Sequence, residues 1–157
     1  MGITDANSAG NVHGGTIMRL ADEAAALAAI KHARKRVVTV GMDRMNFMVP
    51  IYVGDLVTLS ATVNAAWKTS MEVGVRVEAE NPRTGERRRT NTAYITLVAL
   101  DEVGKPAAVP PLVAETPTEK RRMREAELRR ANRLAERAQI RAGRGHDAAT
   151  AGHSTEP

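Results

Sequence analysis

Cysteine is absent from this 157-residue chain. That excludes disulfides, thiolate metal sites and a cysteine nucleophile together. Aromatic residues are scarce, with one Trp, one Phe and two Tyr, so a stacking platform for single-stranded nucleic acid has little to work with. Long apolar runs are missing too. The opening MGITDANSAG contains no apolar stretch that could serve as a signal peptide, and no segment is long enough to cross a bilayer as a helix. Ala6 stands where a myristoylation signal beginning at Gly2 would have Ser or Thr. These absences leave the expectation of one cytoplasmic domain without metal, disulfide or membrane span. Its hydrophobic content of 43% suffices for a single core.

Charge is present but uneven. Between Pro117 and Arg144 there are ten basic and four acidic residues, so this segment carries +6 of the net +5 and the rest of the chain is nearly neutral. The basic character belongs to an appendage rather than to the domain. The appendage, TEKRRMREAELRRANRLAERAQIRAG, reads as an exposed helix with a narrow apolar stripe of Leu128, Ala131, Leu134, Ala135 and Ala138 and a Glu125–Arg129 pair. Docking on the protein's own oligomer explains that stripe more simply than nucleic-acid binding. The expected division is 1–116 for the domain, 117–143 for the helix and 144–157 for a disordered tail, which contains His146 and His153.

Within the domain, Ile17, Leu20, Ala21, Ala24, Leu27 and Ala28 recur at helical spacing from the glycine pair to about His32. Four β-like runs follow, at 37–47, 56–67, 70–80 and 90–100, separated by Pro50, Gly54-Asp55, and the Asn-Pro and Thr-Gly pairs of ENPRTGERRR. The third run alternates most cleanly. Met71, Val73, Val75, Val77 and Ala79 face one way, while Ser70, Glu72, Arg76 and Glu78 face the other. Short connections and one polar face predict an antiparallel sheet, its apolar face covered by the single long helix, whose length is comparable to the width of a five- or six-stranded sheet. The fold class is α+β, a sheet wrapped around a central helix with a C-terminal helical extension.

The candidate site lies in NSAGNVHGGTIMRLADEAAALAAIKHA, at residues 7–33. Gly14 and Gly15 open the helix, where bare N–H groups meet the positive end of the helix dipole and no Cβ keeps a ligand oxygen away. A loop–helix junction using glycines for geometry alone is the plainer alternative. Asp22 lies about 160° around the helix from the apolar stripe, at about 100° per residue. Its neighbours Met18, Ala25, Ala26 and Ala29 are themselves apolar, so a second packed surface is expected there, and a carboxylate on it is a functional candidate. Glu23, four residues after Arg19, needs only a surface pair. His13 has no carboxylate partner in sequence and reads as a positioning or capping residue. His32 reads as a surface residue at the helix end, Asp43 and Arg44 as an internal pair, Asp55 as a turn residue and Trp67 as packing.

Taken together, Asn-x-His-Gly-Gly, Asp-Glu, Val-Val-Thr and Val-Gly-Asp, over roughly residues 5–135, resemble the acyl-CoA thioesterases of the hotdog fold. The resemblance implies hydrolysis of acyl-CoA to free acid and CoA, with Asn11 and Asp22 as the catalytic pair, contributed by different protomers of a homodimer. It implies further assembly into a hexamer, a trimer of dimers. Asp22 would be general base or nucleophile, and Asn11 would orient the water or the carbonyl. The backbone at Gly14 and Gly15 would polarise the thioester, with His13 beside it, and Thr69 and Ser70 of KTSMEV would hold the CoA portion. No cofactor is implied beyond CoA as part of the substrate, and neither nucleic acid nor membrane as partner. Two departures stand out: only ten residues precede Asn11, where the family carries a further strand, so the first strand is expected to be truncated, and Ala21 stands where Met is common. The rival readings are a hotdog hydratase or dehydratase, disfavoured by the lack of a catalytic His, and a non-catalytic acyl-CoA-binding regulator, disfavoured by the lack of a DNA-binding helix-turn-helix.

Overall fold

The structure, a computed structural model, describes residues 1–43, 45 and 47–151. Arg44, Asn46 and 152–157 lie outside the described residues, and with them the expected Asp43–Arg44 pair and His153. The elements in chain order are a 3₁₀ turn (Ile3–Asp5), α1 (Gly14–Ala33), β1 (Arg36–Met42), β2 (Leu56–Ala66), β3 (Ser70–Glu80), β4 (Arg87–Leu100) and α2 (Pro117–Ala151). The chain divides into two compact units, Met1–Val113 and Ala114–Pro157.

In the first unit the described strands form one antiparallel sheet of four, in the order β1-β4-β3-β2. These correspond to the four β-like runs of the sequence. The residues before α1 meet the rest through isolated bridges instead, Ala6 with Val12 and Asn11 with Tyr52. The β3–β4 hairpin is longer than its hydrophobic pattern indicated. The basic run Arg87–Arg89 joins the ladder opposite Glu80, Ala79 and Glu78, and Arg87 donates to Glu80 at 2.6 Å. Opposite charges facing across an antiparallel pair favour that extension.

The alternation in β3 is as expected. Met71, Val73, Val75, Val77 and Ala79 are all fully buried, and Ala93, Ile95, Leu97 and Ala99 of β4 join them. The helix face that covers them differs from the expected stripe. The buried residues of α1 are Ile17, Ala21, Ala25, Ala29 and Ala33, whereas Leu27 is 69% exposed. Four alanines in this row let the helix lie close on the sheet, and the larger side chains are turned outward. The helix is about 30 Å long at about 1.5 Å per residue. It ends at Arg34, which takes a left-handed conformation (φ 54°) and donates its N–H to the Ile30 carbonyl.

The other face of β3 is not simply solvated. Glu72 is fully buried, and Asn64, also buried, donates to it at 3.3 Å. Asn64 stands where the β2–β3 register slips, between Val63 and Ala65. Gly74 provides the room: a Cβ there would sit 2.6 Å from Asn64 Nδ2.

In the second unit, α2 begins with reciprocal capping. Thr116 and Glu115 N–H groups donate to the Glu119 carboxylate at 2.9 and 3.0 Å, and Glu119 N–H donates to Thr116 Oγ1 at 3.2 Å. These bonds, that from Thr116 first, hold the Glu119 carboxyl below its ordinary pKa. Glu125 is paired with Arg121, one turn before it, at 2.7 Å, and Leu128 and Leu134 are exposed. The helix runs to Ala151, so it overlaps the segment read as a disordered tail.

Candidate active site

The residues ahead of α1 are held as a closed loop. Asn7 N–H donates to the Asn11 carbonyl at 2.7 Å and Gly10 N–H to the Asn7 carbonyl at 3.0 Å. The Asn7 side-chain Oδ1 accepts from Ala9 and Asn11 N–H at 2.9 and 3.1 Å. Such side-chain-to-backbone bonds are what Asn offers a turn. With Oδ1 so engaged, the amide Nδ2 of Asn7 is the group left to donate elsewhere. The loop is fastened to the chain before β2 by Val12 N–H, which donates to the Ile51 carbonyl at 2.8 Å.

Between these segments and the first turn of α1 lies a cavity of about 380 Å³, lined by Asn7, Asn11, Val12, Gly14, Ile17, Phe47, Val49, Pro50 and Ile51. Apart from the two asparagines, the residues that line it carry apolar side chains or none. At its helix end the His13 carbonyl accepts the first intrahelical bonds, from Thr16 and Ile17. The first N–H groups of a helix have no acceptor within it, and here they belong to Gly14 and Gly15. The Phe47 ring lies against Gly14, where an added Cβ would be 3.3 Å from the ring, while the space beside Gly15 is open. His13 occupies the N-cap position but makes no side-chain capping bond; of the two roles expected for it, capping is the one its geometry does not provide.

Asp22 is placed differently. It sits about 60° from Ala25 in the middle of the buried stripe, at about 100° per residue, and is half-buried on the side of α1 that faces β1. There Thr39 Oγ1 donates to Asp22 Oδ1 at 2.6 Å, the short distance of a hydroxyl bound to a carboxylate. The β1–β4 register slips between Thr39 and Gly41, and a bulge of this kind re-aims neighbouring side chains. Glu23 is paired with Arg19 at 2.7 Å on the exposed face. Thus one chain gathers Asn11 and Gly14 at the cavity, keeps Asp22 with Thr39 on another side of α1, and puts Thr69 and Ser70 at the β2–β3 turn, outside the cavity lining. His32 Nε2 donates to the Pro110 carbonyl at 2.9 Å.

Sequence reasoning passed over Asn7, Thr39 and Phe47. For Thr39 the signal was its position as the one hydroxyl in the Val-rich run RVVTVGM. For Asn7 it was the Asn-x-x-Gly turn pattern.

A thioesterase superfamily model matches residues 9–86. The uncharacterized acyl-CoA thioester hydrolase YkhA of Bacillus subtilis is 41% identical over 115 residues, covering 73% of this chain and 67% of that one. An apo-hexameric acyl-CoA thioesterase superimposes with a TM-score of 0.84 at 41% identity, covering 88% of each chain.

The chain belongs to the acyl-CoA thioesterases of the hotdog fold.

A member from Staphylococcus aureus, an acyl-CoA hydrolase solved with butyryl coenzyme A, coenzyme A and coenzyme A disulfide, matches with a TM-score of 0.84 at 34% identity. It is covered to 90%, and this chain to 94%. That enzyme has also been solved with an asparagine, an aspartate or a threonine replaced by alanine. By contrast, this chain spans only 34% of the length of the rat cytosolic acyl coenzyme A thioester hydrolase it matches. Among the described residues of this thioesterase-family chain, no helix is long and apolar enough to cross a membrane.

Proposed function

We propose that this protein hydrolyses acyl-CoA thioesters to the free acid and CoA, with Asp22 as the carboxylate that activates water or attacks the carbonyl. The observation that carries this reading is the Thr39–Asp22 hydrogen bond. In the Staphylococcus enzyme the aspartate and threonine chosen for replacement are as far apart in sequence as Asp22 and Thr39, which are 17 residues apart. With Oδ1 held by the Thr39 hydroxyl, Oδ2 is oriented to take the proton of a water or to add to the carbonyl. The helix N-terminus at Gly14 and Gly15 supplies N–H groups for the oxyanion, the contribution that is usually largest.

The same comparison supports a choice of asparagine. The replaced asparagine of the Staphylococcus enzyme precedes its aspartate by the separation between Asn7 and Asp22, not by that between Asn11 and Asp22. Asn7 also has its side chain held through Oδ1 with Nδ2 left to donate, so it is our first choice to bind the carbonyl oxygen, with Asn11, the residue pointed to by the glycine motif, beside it on the cavity wall. Thr69 and Ser70 retain the proposed role of contacting the CoA portion, and His13 that of a neighbour to the thioester. No cofactor is part of this mechanism.

The site is completed by a second copy of the chain, in a homodimer assembled further into a hexamer. Two features support this: Met18, Leu27 and Ile30 on α1 with Val38 and Val40 on β1 are exposed apolar side chains, and β1 is an edge strand whose outer side has no ladder partner among the described residues. A cytoplasmic location and a substrate-only ligand set complete the proposal.

Thiol release across acyl-CoA esters of increasing chain length tests the activity. Asn7→Ala should lower kcat about a hundredfold and Asn11→Ala about tenfold or less; the reverse order would move the assignment to Asn11. Mixing inactive Asp22→Asn and Asn7→Ala proteins under subunit exchange should restore partial activity. No recovery despite proven exchange would put both residues of a site in one chain.

A further inference from the structure

The wall of the cavity is fastened from outside it. Tyr52 to Asp55 form a tight turn, with Asp55 N–H donating to the Tyr52 carbonyl at 3.1 Å and Gly54 at φ 94°. The Asp55 carboxylate accepts Tyr52 N–H at 2.9 Å and the Arg88 guanidinium at 2.6 Å. The same guanidinium lies 5.2 Å from the centre of the Tyr52 ring. The side chain of Asp55 is only 6% exposed and that of Arg88 22%, so removing one charge leaves the other largely withdrawn from water. Arg88 is itself fixed, opposite Ala79 in the β3–β4 ladder.

From this anchor two backbone links run to the asparagine loop. Tyr52 bridges Asn11, and the Ile51 carbonyl accepts Val12 N–H. Asn11, Val12, Pro50 and Ile51 all line the cavity. The sheet therefore holds the loop that precedes α1 through one ion pair and one turn. Asp55 is more than the turn residue its Gly-Asp context indicated.

We infer that Arg88 and Asp55 are positioning residues for the asparagine loop, setting where residues 7–12 stand against the first turn of α1 without touching substrate. The inference rests on reading that cavity as part of a thioesterase site. An ion pair that only stabilises the fold would be indifferent to turnover in molecules that remain folded. The pair proposed here is not.

The test uses Asp55→Asn, which keeps an acceptor for Tyr52 N–H but loses the charge, Arg88→Met, which keeps the stem, and Arg88→Lys, which keeps the charge but not the planar fork. Turnover is measured on the intact oligomer well below every melting midpoint, and amide exchange is followed at Asn11 and Val12. Arg88→Met and Asp55→Asn should each lower kcat about tenfold with KM changed less than about twofold, because small displacements of positioned groups act on the rate. Val12 exchange should rise by a similar factor while the centre of β3 is unaffected. The double variant should lose no more than the worse single one, and Arg88→Lys should recover part of the rate. Should Arg88→Met fail to fold, Asp55→Asn and Arg88→Lys report the same quantities. A lowered melting midpoint with wild-type kcat and wild-type Val12 exchange would overturn the inference, as would additive losses in the double variant. If the wild-type protein releases no thiol from any acyl-CoA, the thioesterase reading fails, and exchange at Val12 still decides the anchoring.

Discussion

β1 and β3 pair with opposite edges of the same strand, β4, yet they differ in almost every respect. β3 is eleven residues long, laddered on both sides, and buries Met71, Val73, Val75, Val77 and Ala79 without remainder. β1 has seven residues, one bulge, an outer edge without a ladder partner among the described residues, and two exposed valines, and it carries the hydroxyl that holds Asp22. A strand constrained from both sides has no latitude to aim a polar group at a ligand. A strand constrained from one side can be bulged without disturbing the core, and its free edge is available to a second subunit. On the proposed mechanism, stability and chemistry are drawn from different strands, and substitutions should separate them.

The sharpest separation is expected at Asp22. Asp22→Asn keeps size and hydrogen bonding but removes the base, so kcat should fall about a hundred- to ten-thousand-fold, with the thermal midpoint nearly unchanged. Full turnover in this variant would remove the proposed mechanism. The converse comes from the β4 core: Ile95→Ala leaves a cavity among fully buried side chains and should cost about 3 kcal/mol in denaturant unfolding. Activity per folded molecule should be retained. If Ile95→Ala instead lowered kcat at full folding, the division between strands would be wrong.

Gly74→Ala is a finer probe, since it acts on the face of β3 turned away from α1. The new methyl would stand 2.6 Å from Asn64 Nδ2, and displacing that amide breaks its bond to buried Glu72. A loss of about 1–3 kcal/mol is expected, with kcat again intact. Calorimetry that finds no loss would mean the Asn64 side chain has room to turn aside.

The smallest effect is expected at α2. The Glu119 carboxyl is held below its ordinary pKa by bonds from Thr116 and Glu115. Its stabilising contribution is therefore complete above the ordinary carboxylate range and disappears as pH falls through the lowered value. Glu119→Gln should reduce helicity slightly near neutral pH by circular dichroism, and the gap should close at acid pH, where both side chains are neutral. A gap that widens on acidification would reverse the assignment.

The parts of the molecule differ in how legible they are from sequence. Val, Met and Glu alternate plainly in β3, and its burial follows them. In α1 the signal is weak because alanine is tolerated on any face. The eye follows Leu20 and Leu27, but close approach to the sheet selects the smallest residues, so Leu27 is turned outward and the Ala21–Ala33 row is buried. Asp22 drew notice because its neighbours are apolar, but Ala25 and Ala29 are apolar because they belong to the row buried against the sheet, not to a second packed surface. Thr39 carried only a faint signal as the one hydroxyl of its strand, for a threonine in a strand is ordinary until the bulge that aims it is seen. Asn7 and Asn11 show the limit of a motif: both stand before the glycines, and only the hydrogen bonds that occupy Asn7 Oδ1 and the spacing found in a relative distinguish them. The β4 boundary was missed because three consecutive arginines read as loop, whereas opposite Glu78 and Glu80 they extend the ladder.

The alanine row of α1 also has a genetic consequence. A single-base change in an alanine codon yields serine, glycine, threonine, valine, proline, or an acidic residue. Against a fully buried sheet face only serine and glycine are small enough to enter without pushing the helix away, and glycine weakens the helix itself by about 1 kcal/mol. At Ala21, Ala25, Ala29 and Ala33, therefore, nearly every one-step mutation is either an overpacking or a loosening. The row leaves this helix little neutral variation to drift through, while the exposed Leu27 side is free to vary until a partner chain covers it.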